Sequence, residues 1–513
     1  AQASLRLRQF APDPHAPGRR GGWRGACGSM GASSARQTPD ASEALLAPGL
    51  PPASWSPSRL LDPMTSPVPS SPLSSPRGEP GAGASEGRPA EPRLEVLREP
   101  EASLFSSWCV LTNTLLGVGS LGLPWAFSTV GLALGIVMLV GAGAVSCLAL
   151  HFLAHVAVAL TGGSQGPAEV TFYSACMAGA PAARYVVDAA IAVKCFGVAT
   201  SYLQVIGQLG AVLLSEVMAW TSDPEPLRRQ IIVLALLTVI APTVFHKRIT
   251  KTASQNLIAI VAWLYITVLI AAIALGLIPV DEVQSAGSWQ VAPPPGMTLS
   301  VVASTLPIFI FSFTCHQNLF PLVNELKQRS LRRLDLIIVG AIATGLLMYG
   351  VVGLGAYMRF APQPKPNIVL DLPRTSLVRV GELLVIVAVT FTYPLQLHPC
   401  RRSMMILVSS CMGRFMNRDE ERWCRRILTV FILMGTATVA CLVRNLGITL
   451  AFVGALGSNT VVLIMPAFLF LRLHHSHSGV LWYLALAVFI AGCIILPTSV
   501  TAVIHKALSD PAA

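Results

Sequence analysis

The residues of this chain that could do chemistry lie inside apolar runs. Asn113-Thr-Leu-Leu-Gly-Val-Gly-Ser-Leu-Gly-Leu-Pro124 carries three glycines and a proline within eight residues. Glycine raises the entropy cost of staying helical, and proline removes a backbone donor. An unwound stretch frees N–H and C=O groups, which can hold a carboxylate at a half-helix N-terminus and a cation at the freed carbonyls. The alternative is small-residue packing between helices. A second interrupted stretch reads Leu306-Pro-Ile-Phe-Ile-Phe-Ser-Phe-Thr-Cys-His-Gln-Asn-Leu-Phe-Pro321, with two prolines and a Ser/Thr/His/Gln/Asn cluster.

Further polar residues lie elsewhere in apolar runs. Val389-Thr-Phe-Thr-Tyr-Pro394 places Thr390 and Thr392 roughly 200° apart around a helix, so at most one of them faces a given site. Either hydroxyl could instead bond back to its own helix. Lys194 is the lone basic residue deep in an apolar run. A charge at a bilayer centre costs at least ~2.5 kcal/mol, which makes Lys194 a candidate proton carrier or a fixed cation replacing a bound ion. Snorkelling to the interface is the competing account. Glu382 stays undecided, whereas Asp188 and Glu216 read as interfacial. His316, with an ordinary pKa near neutrality, suits gating or proton shuttling as well as a structural cap.

The elements that must position these residues are membrane helices. The chain has 513 residues, 53% hydrophobic and 12% charged, where soluble proteins carry about 25% charged residues. Spanning helices need roughly 20 apolar residues. Eleven such spans are expected near 104–128, 130–160, 185–218, 230–245, 254–278, 298–320, 335–358, 376–398, 427–443, 446–471 and 479–505. The runs do not alternate, which excludes a β-barrel. The two interrupted spans are then the first and the sixth. Matching breaks in two five-helix halves point to a binding site at the interface of an inverted repeat.

The net charge of +11 does not imply nucleic acid, because the basic residues sit in the tail and in short connections. With the N-terminus inside, the inner connections hold sixteen Lys and Arg against eight outside, which favours a cytoplasmic N-terminus and an outward C-terminus. Residues 1–103, rich in Pro, Ser, Ala and Gly, read as a disordered cytoplasmic tail. Residues 104–505 form the membrane domain, and 506–513 a short C-terminal tail. His474, His475 and His477 read as a solvated loop. No metal pair or catalytic triad has usable spacing, so neither an enzyme nor a metal cofactor is expected.

Several stretches resemble the amino acid/auxin permease family, in the branch of vacuolar and sodium-coupled neutral amino-acid transporters. Ile191-Ala-Val-Lys-Cys-Phe-Gly-Val-Ala-Thr-Ser-Tyr-Leu-Gln-Val-Ile-Gly207 is similar to its third span. Phe313-Thr-Cys-His-Gln-Asn-Leu-Phe-Pro-Leu-Val-Asn-Glu-Leu326 looks like its Cys-His motif, Pro394-Leu-Gln-Leu-His-Pro-Cys-Arg401 like the motif closing its eighth span, and Gly454-Ala-Leu-Gly-Ser458 fits its tenth. The resemblance implies an all-α, eleven-helix LeuT-like fold with a five-plus-five inverted repeat plus one helix. It implies transport of small amino acids by symport or antiport with Na⁺ or H⁺. A nutrient sensor is the alternative, with the tail as a signalling arm for a partner. Substrate would meet Gly117, Gly119, Ser120, Phe311 and Ser312. Asn113 with Thr392, or else Thr390, would bind the cation, and Lys194 and His316 would couple or gate. Gln208 stands where similar members often have Asp. The membrane expected is of vacuolar or lysosomal type.

Overall fold

The computed structural model describes residues 102–161, 170–218, 224–245, 252–278, 289–360, 363–414, 416–474 and 479–509. The expected disorder of the N-terminal tail, and His475 and His477, lie outside them. The described residues are almost entirely helical. The first span is split into α1 (Leu104–Leu115) and α2 (Gly119–Val130), bent by 52°. Then come α3 (Leu132–Thr161), the short α4 (Phe172–Gly179) and α5 (Ala183–Val217). The fourth span is α6 (Pro224–Ala235), a π turn over Leu236–Ile240 and α7 (Ala241–Phe245). The π turn ends two residues before Pro242, whose ring nitrogen has no N–H to donate to the preceding turn.

The second half opens after α8 (Thr252–Ala274). Its first span is split as well, into α9 (Leu299–Ser312) and α10 (Leu319–Glu325), with a 3₁₀ turn over His316–Asn318 between them. Next come α11 (Leu331–Gly350) with α12 (Ala356–Phe360), α13 (Ser376–Met412) and α14 (Arg418–Leu442). The tenth span is α15 (Leu446–Val453), two π turns and α16 (Met465–Leu473), and α17 (Val480–Ser509) ends the bundle.

Among the described residues, nine helices are long and apolar enough to cross a membrane, or ten if the bent α1–α2 pair is one span; the expected fifth span is represented by a shorter apolar helix, Ile258–Ala274. Several boundaries differ from expectation. α13 runs on through Pro394 and Pro399 to Met412, α14 starts at Arg418, and α17 continues to Ser509, into the expected C-terminal tail. Hydropathy marks where lipid ends, whereas helices continue beyond it until a cap stops them. At α13 that cap is Gly413, at φ +63°.

The helices are sorted by burial. α5 and the Leu446–Leu473 span are 83% buried in their apolar windows, whereas α17 is 17% buried. Large apolar side chains such as Val137, Leu336, Leu347 and Phe431 are exposed on the outside, the pattern of a lipid-facing surface. Between the central helices, small residues permit close approach. A Cβ on Gly454 would lie 2.1 Å from the Pro307 carbonyl oxygen, and one on Gly457 would lie 2.8 Å from Lys194 Cα. The tenth span is thereby seated on both α9 and α5.

Arg228, counted among the outward basic residues, is buried. Its guanidinium donates to the Ala440 carbonyl at 2.8 Å and the Cys441 carbonyl at 3.0 Å, at the C-terminal end of α14. It therefore serves packing as well as charge bias.

The glycine contacts give the first prediction. Gly454→Ala forces a methyl against backbone and should destabilise the protein by about 3 kcal/mol. Gly141→Ala, with nothing within 4 Å, should be close to neutral. Thermal unfolding of both variants in detergent checks this.

Candidate functional site

The site is built where the two split spans meet. The first break falls at residues 116–118 and the second at 313–315. Both are shorter than the Gly117–Pro124 and Ser312–Pro321 stretches read from the sequence. Gly119 and Gly122 stand inside α2 and act as contact points. A Cβ on Gly119 would lie 2.9 Å from Ser312 Oγ, 3.0 Å from Ser312 Cα and 3.2 Å from the Phe311 ring. One on Gly122 would lie 2.7 Å from Leu450. Pro124 and Pro307 are carried within helices. Pro321 falls in the first turn of α10, where its missing N–H has no intrahelical partner to lose. Thus the packing account holds for Gly119 and Gly122, and the unwinding account for the residues just before them.

The backbone groups freed at the breaks are met from within the protein. Ser120 Oγ donates to the Gly117 carbonyl at 2.9 Å, and Ser146 Oγ to that of Phe313 at 2.8 Å. The Tyr349 hydroxyl lies 2.5 Å from the Leu115 carbonyl oxygen and 2.9 Å from that of Ser312. Asn318 Nδ2 donates to Thr114 Oγ1 at 2.8 Å, tying the 3₁₀ turn to α1. Below that bond lies a cavity of about 200 Å³ between α1 and α10, lined by Ser106, Ser107, Val110, Asn318, Pro321 and Glu325. Gly117 faces Tyr202, whose hydroxyl would lie 3.9 Å from a Cβ there. Tyr202 in turn lies close to the Gln396 side chain.

Of the expected substrate residues, Gly119, Phe311 and Ser312 are in mutual contact, and Gly117 and Ser120 flank them. Asn113 is buried in α1. Thr390 and Thr392 donate to the Ile386 and Ala388 carbonyls of their own helix at 2.7 and 2.6 Å. Back-bonding uses the hydroxyl proton and leaves oxygen lone pairs, so neither is removed as a cation ligand.

Lys194 is 3% exposed, about a third of the way along α5, where the snorkelling account does not apply. The titratable groups acting on it are Cys195 and Cys315, and it lies close enough to His316 to act on that ring. His316 is fully buried. Its ring approaches the Ser146 backbone without hydrogen-bond geometry, and both ring nitrogens lack a partner among the described residues. The structure therefore gathers Lys194 and His316 next to the second break.

Sequence reasoning missed or misplaced several groups. Asp188 is buried and accepts from Ser403 Oγ at 3.1 Å. Glu382 is 1% exposed, with one oxygen 4.0 Å from Arg374 and the other unpartnered; Arg374 lies closer to Glu216, at 2.8 Å. Gln208 uses both halves of its amide, donating to the Arg444 carbonyl at 3.0 Å and accepting from Asn367 Nδ2 at 3.0 Å. An Asp there would lack the donor. At the end of the bundle where α1 begins, His151 lies 2.6 Å from Asp335 and 3.2 Å from His155, and His474 stacks on Phe470 beside them. Tyr202 and Tyr349 carried no signal, because an aromatic in an apolar span reads as packing.

Two split spans that touch at Gly119 and Ser312 give the chain a LeuT-like broken-helix fold. Solved structures of the same architecture include the inward-facing conformation of Mhp1, at TM-score 0.52 over 81% of this chain and 93% of that one with 14% identity. Another is MhsT in complex with L-phenylalanine, at TM-score 0.53 over 78% and 100% with 13% identity. These likenesses concern the fold. A family model described as transmembrane amino acid transporter protein matches residues 100–505. The chain is 34% identical over 377 residues to vacuolar amino acid transporter 5 of Schizosaccharomyces pombe, covering 73% of this chain and 86% of that protein. It is 30% identical over 453 residues to vacuolar amino acid transporter 6 of Saccharomyces cerevisiae, covering 78% and 98%. It is 23% identical over 441 residues to sodium-coupled neutral amino acid symporter 2 of Danio rerio, covering 80% and 84%. The chain belongs to the transmembrane amino acid transporter family.

The contact between the breaks yields a second prediction. Gly119→Ala puts a methyl on the Ser312 backbone and should lower amino-acid binding and uptake by about tenfold or more. Gly350→Ala, whose Cβ would meet nothing within 4 Å, should leave both unchanged. Equilibrium binding and proteoliposome uptake check this.

Proposed function

We propose that this chain is a secondary active transporter that moves small amino acids through a vacuolar- or lysosomal-type membrane, driven by a Na⁺ or H⁺ gradient. The observation that carries the reading is the contact of Gly119 with Ser312, the helix ends that flank the two breaks, at the first span of each five-span half. Backbone groups of an unwound helix can hold the charged ends of an amino acid, and rocking of one bundle then opens the site to either side. Residues 104–505 are the transport domain, with the N-terminus cytoplasmic and the C-terminus on the other side. The cavity between α1 and α10 is the route from the breaks to the cytoplasmic side. The names of the fungal relatives support the membrane assignment, and those of the fungal and zebrafish relatives together support the substrate class.

Asn113 with Thr392 or Thr390 forms the cation site. If the coupling ion is H⁺, Lys194 and His316 beside the second break are its carriers. Uptake in proteoliposomes, with Na⁺ and pH gradients imposed separately over a panel of amino acids, should respond to one gradient. Uptake indifferent to both would remove the coupling. Asn113→Ala should abolish the ion response, and an unchanged response removes Asn113 from the site.

One observation favours the sensor as a second reading. The Ala102 N–H donates to the Glu325 carbonyl at 2.9 Å, and the Lys327 N–H to the Ala102 carbonyl at 3.3 Å. The backbone that leads out of the tail is thus stapled to the end of α10, next to the cavity. Deleting residues 1–101 should leave uptake intact if the tail only signals. Altered uptake kinetics would make the tail a regulator of transport instead.

A further inference from the structure

The freed carbonyls of the two breaks converge on one atom. The Leu115 carbonyl at the end of α1 and the Ser312 carbonyl at the end of α9 point at the Tyr349 hydroxyl, at 2.5 and 2.9 Å. Two carbonyl oxygens aimed at one point demand positive charge there, which a coordinated cation or a donated hydrogen can supply. Tyr349 thus bonds a backbone carbonyl at each break. Several other hydroxyls near the breaks serve one carbonyl each: Ser120 that of Gly117, Ser146 that of Phe313, Ser312 that of Ile308 and Thr314 that of Ile310.

The tyrosine is held in place for this. Its side chain is fully buried, and its ring meets Phe313 edge-on at 5.3 Å. One turn before it stands Gly345, where a Cβ would lie 2.1 Å from Leu115 Cδ2. The glycine lets the Leu115 side chain in, and so brings the Leu115 carbonyl to the hydroxyl.

We propose that the Tyr349 hydroxyl occupies the place a metal cation would take where the two helix breaks meet, so that a fixed O–H, and not a coupling ion, joins the two halves at this point. Any metal ion that drives the cycle then binds elsewhere in the site. Tyr349 is a positioning residue. A hydroxyl carries one hydrogen, so it cannot serve both carbonyls at full strength. The junction is held but not locked, as suits a joint that must part when one bundle rocks.

The proposal deepens the transport reading, and its test separates the two. Full-length wild type, Tyr349→Phe and a variant with 4-aminophenylalanine at position 349 are compared. Thermal stability is measured in chlorides of sodium, lithium or potassium against N-methyl-D-glucamine chloride at equal ionic strength, and uptake is measured in proteoliposomes. Tyr349→Phe keeps the ring but leaves both carbonyls without a donor. Its uptake should fall about tenfold, and its melting temperature should rise by about 3 °C more than that of wild type in at least one of the metal salts. The 4-amino variant, with two N–H hydrogens for two carbonyls, should keep the wild-type salt response.

Three results overturn the proposal: a Tyr349→Phe protein identical to wild type, one weakened but no more responsive to any of the three cations, or a 4-amino variant that behaves like Phe. If Tyr349→Phe does not fold, the 4-amino variant decides. Recovery with the wild-type salt response supports the donor role, and failure to recover overturns it. The thermal readout needs no transport, so a wild type that takes up no amino acid would sink the transport reading and leave the junction to be judged by its melting curves.

Discussion

Inside a bilayer every backbone N–H and C=O must find a partner within the protein, because lipid offers none. Intact helices meet this demand by themselves. The two broken spans do not, and much of the centre of the molecule answers their need. Ser120 and Ser146 supply hydroxyls to freed carbonyls, Tyr349 reaches both breaks, and Asn318 ties the second break back to α1. The breaks therefore exist only because α3 and α11 stand beside them with donors at the right height.

The same demand explains where the small residues lie. Side chains that bring donors to a break need the backbones close, and close backbones need missing Cβ atoms. Gly119 lets α2 touch α9, Gly345 lets α11 receive Leu115, and Gly454 and Gly457 seat the tenth span on α9 and α5. Without a hydrophobic drive between helices in lipid, such contacts and the bonds they allow supply much of the cohesion. In the proposed function, backbone groups at the breaks hold the ammonium and carboxylate that amino acids share. The side chains around these groups then decide which amino acid fits.

Several polar groups are buried with few partners, at two separate places. His316 has two unbonded ring nitrogens, Lys194 has thiols for neighbours, and Glu382 shares an arginine that lies closer to Glu216. Each costs stability where it stands. His316 and Lys194 stand beside the second break, whereas Glu382 stands apart with Arg374 and Glu216.

The sequence by itself determined the membrane class, the approximate position of each span and the fact that two spans are interrupted. These follow from the run length of apolar residues, and from glycine, proline and polar residues falling inside such runs. It also held Gly117, Gly119, Ser120, Phe311 and Ser312 as one set, though through family likeness and matching position. It did not place the breaks within a turn, because glycine serves both unwinding and close packing and only the neighbouring helix decides which. It gave no sign of Tyr349 or Tyr202, since a phenol hydroxyl becomes a backbone donor only when a distant carbonyl is delivered to it. Arg228, Asp188 and the His151–Asp335 pair were hidden for the same reason. Composition and order along the chain specify which segments enter the membrane. Contacts between residues up to hundreds of positions apart, such as the 234 that separate Leu115 from Tyr349, exist only once the helices are packed.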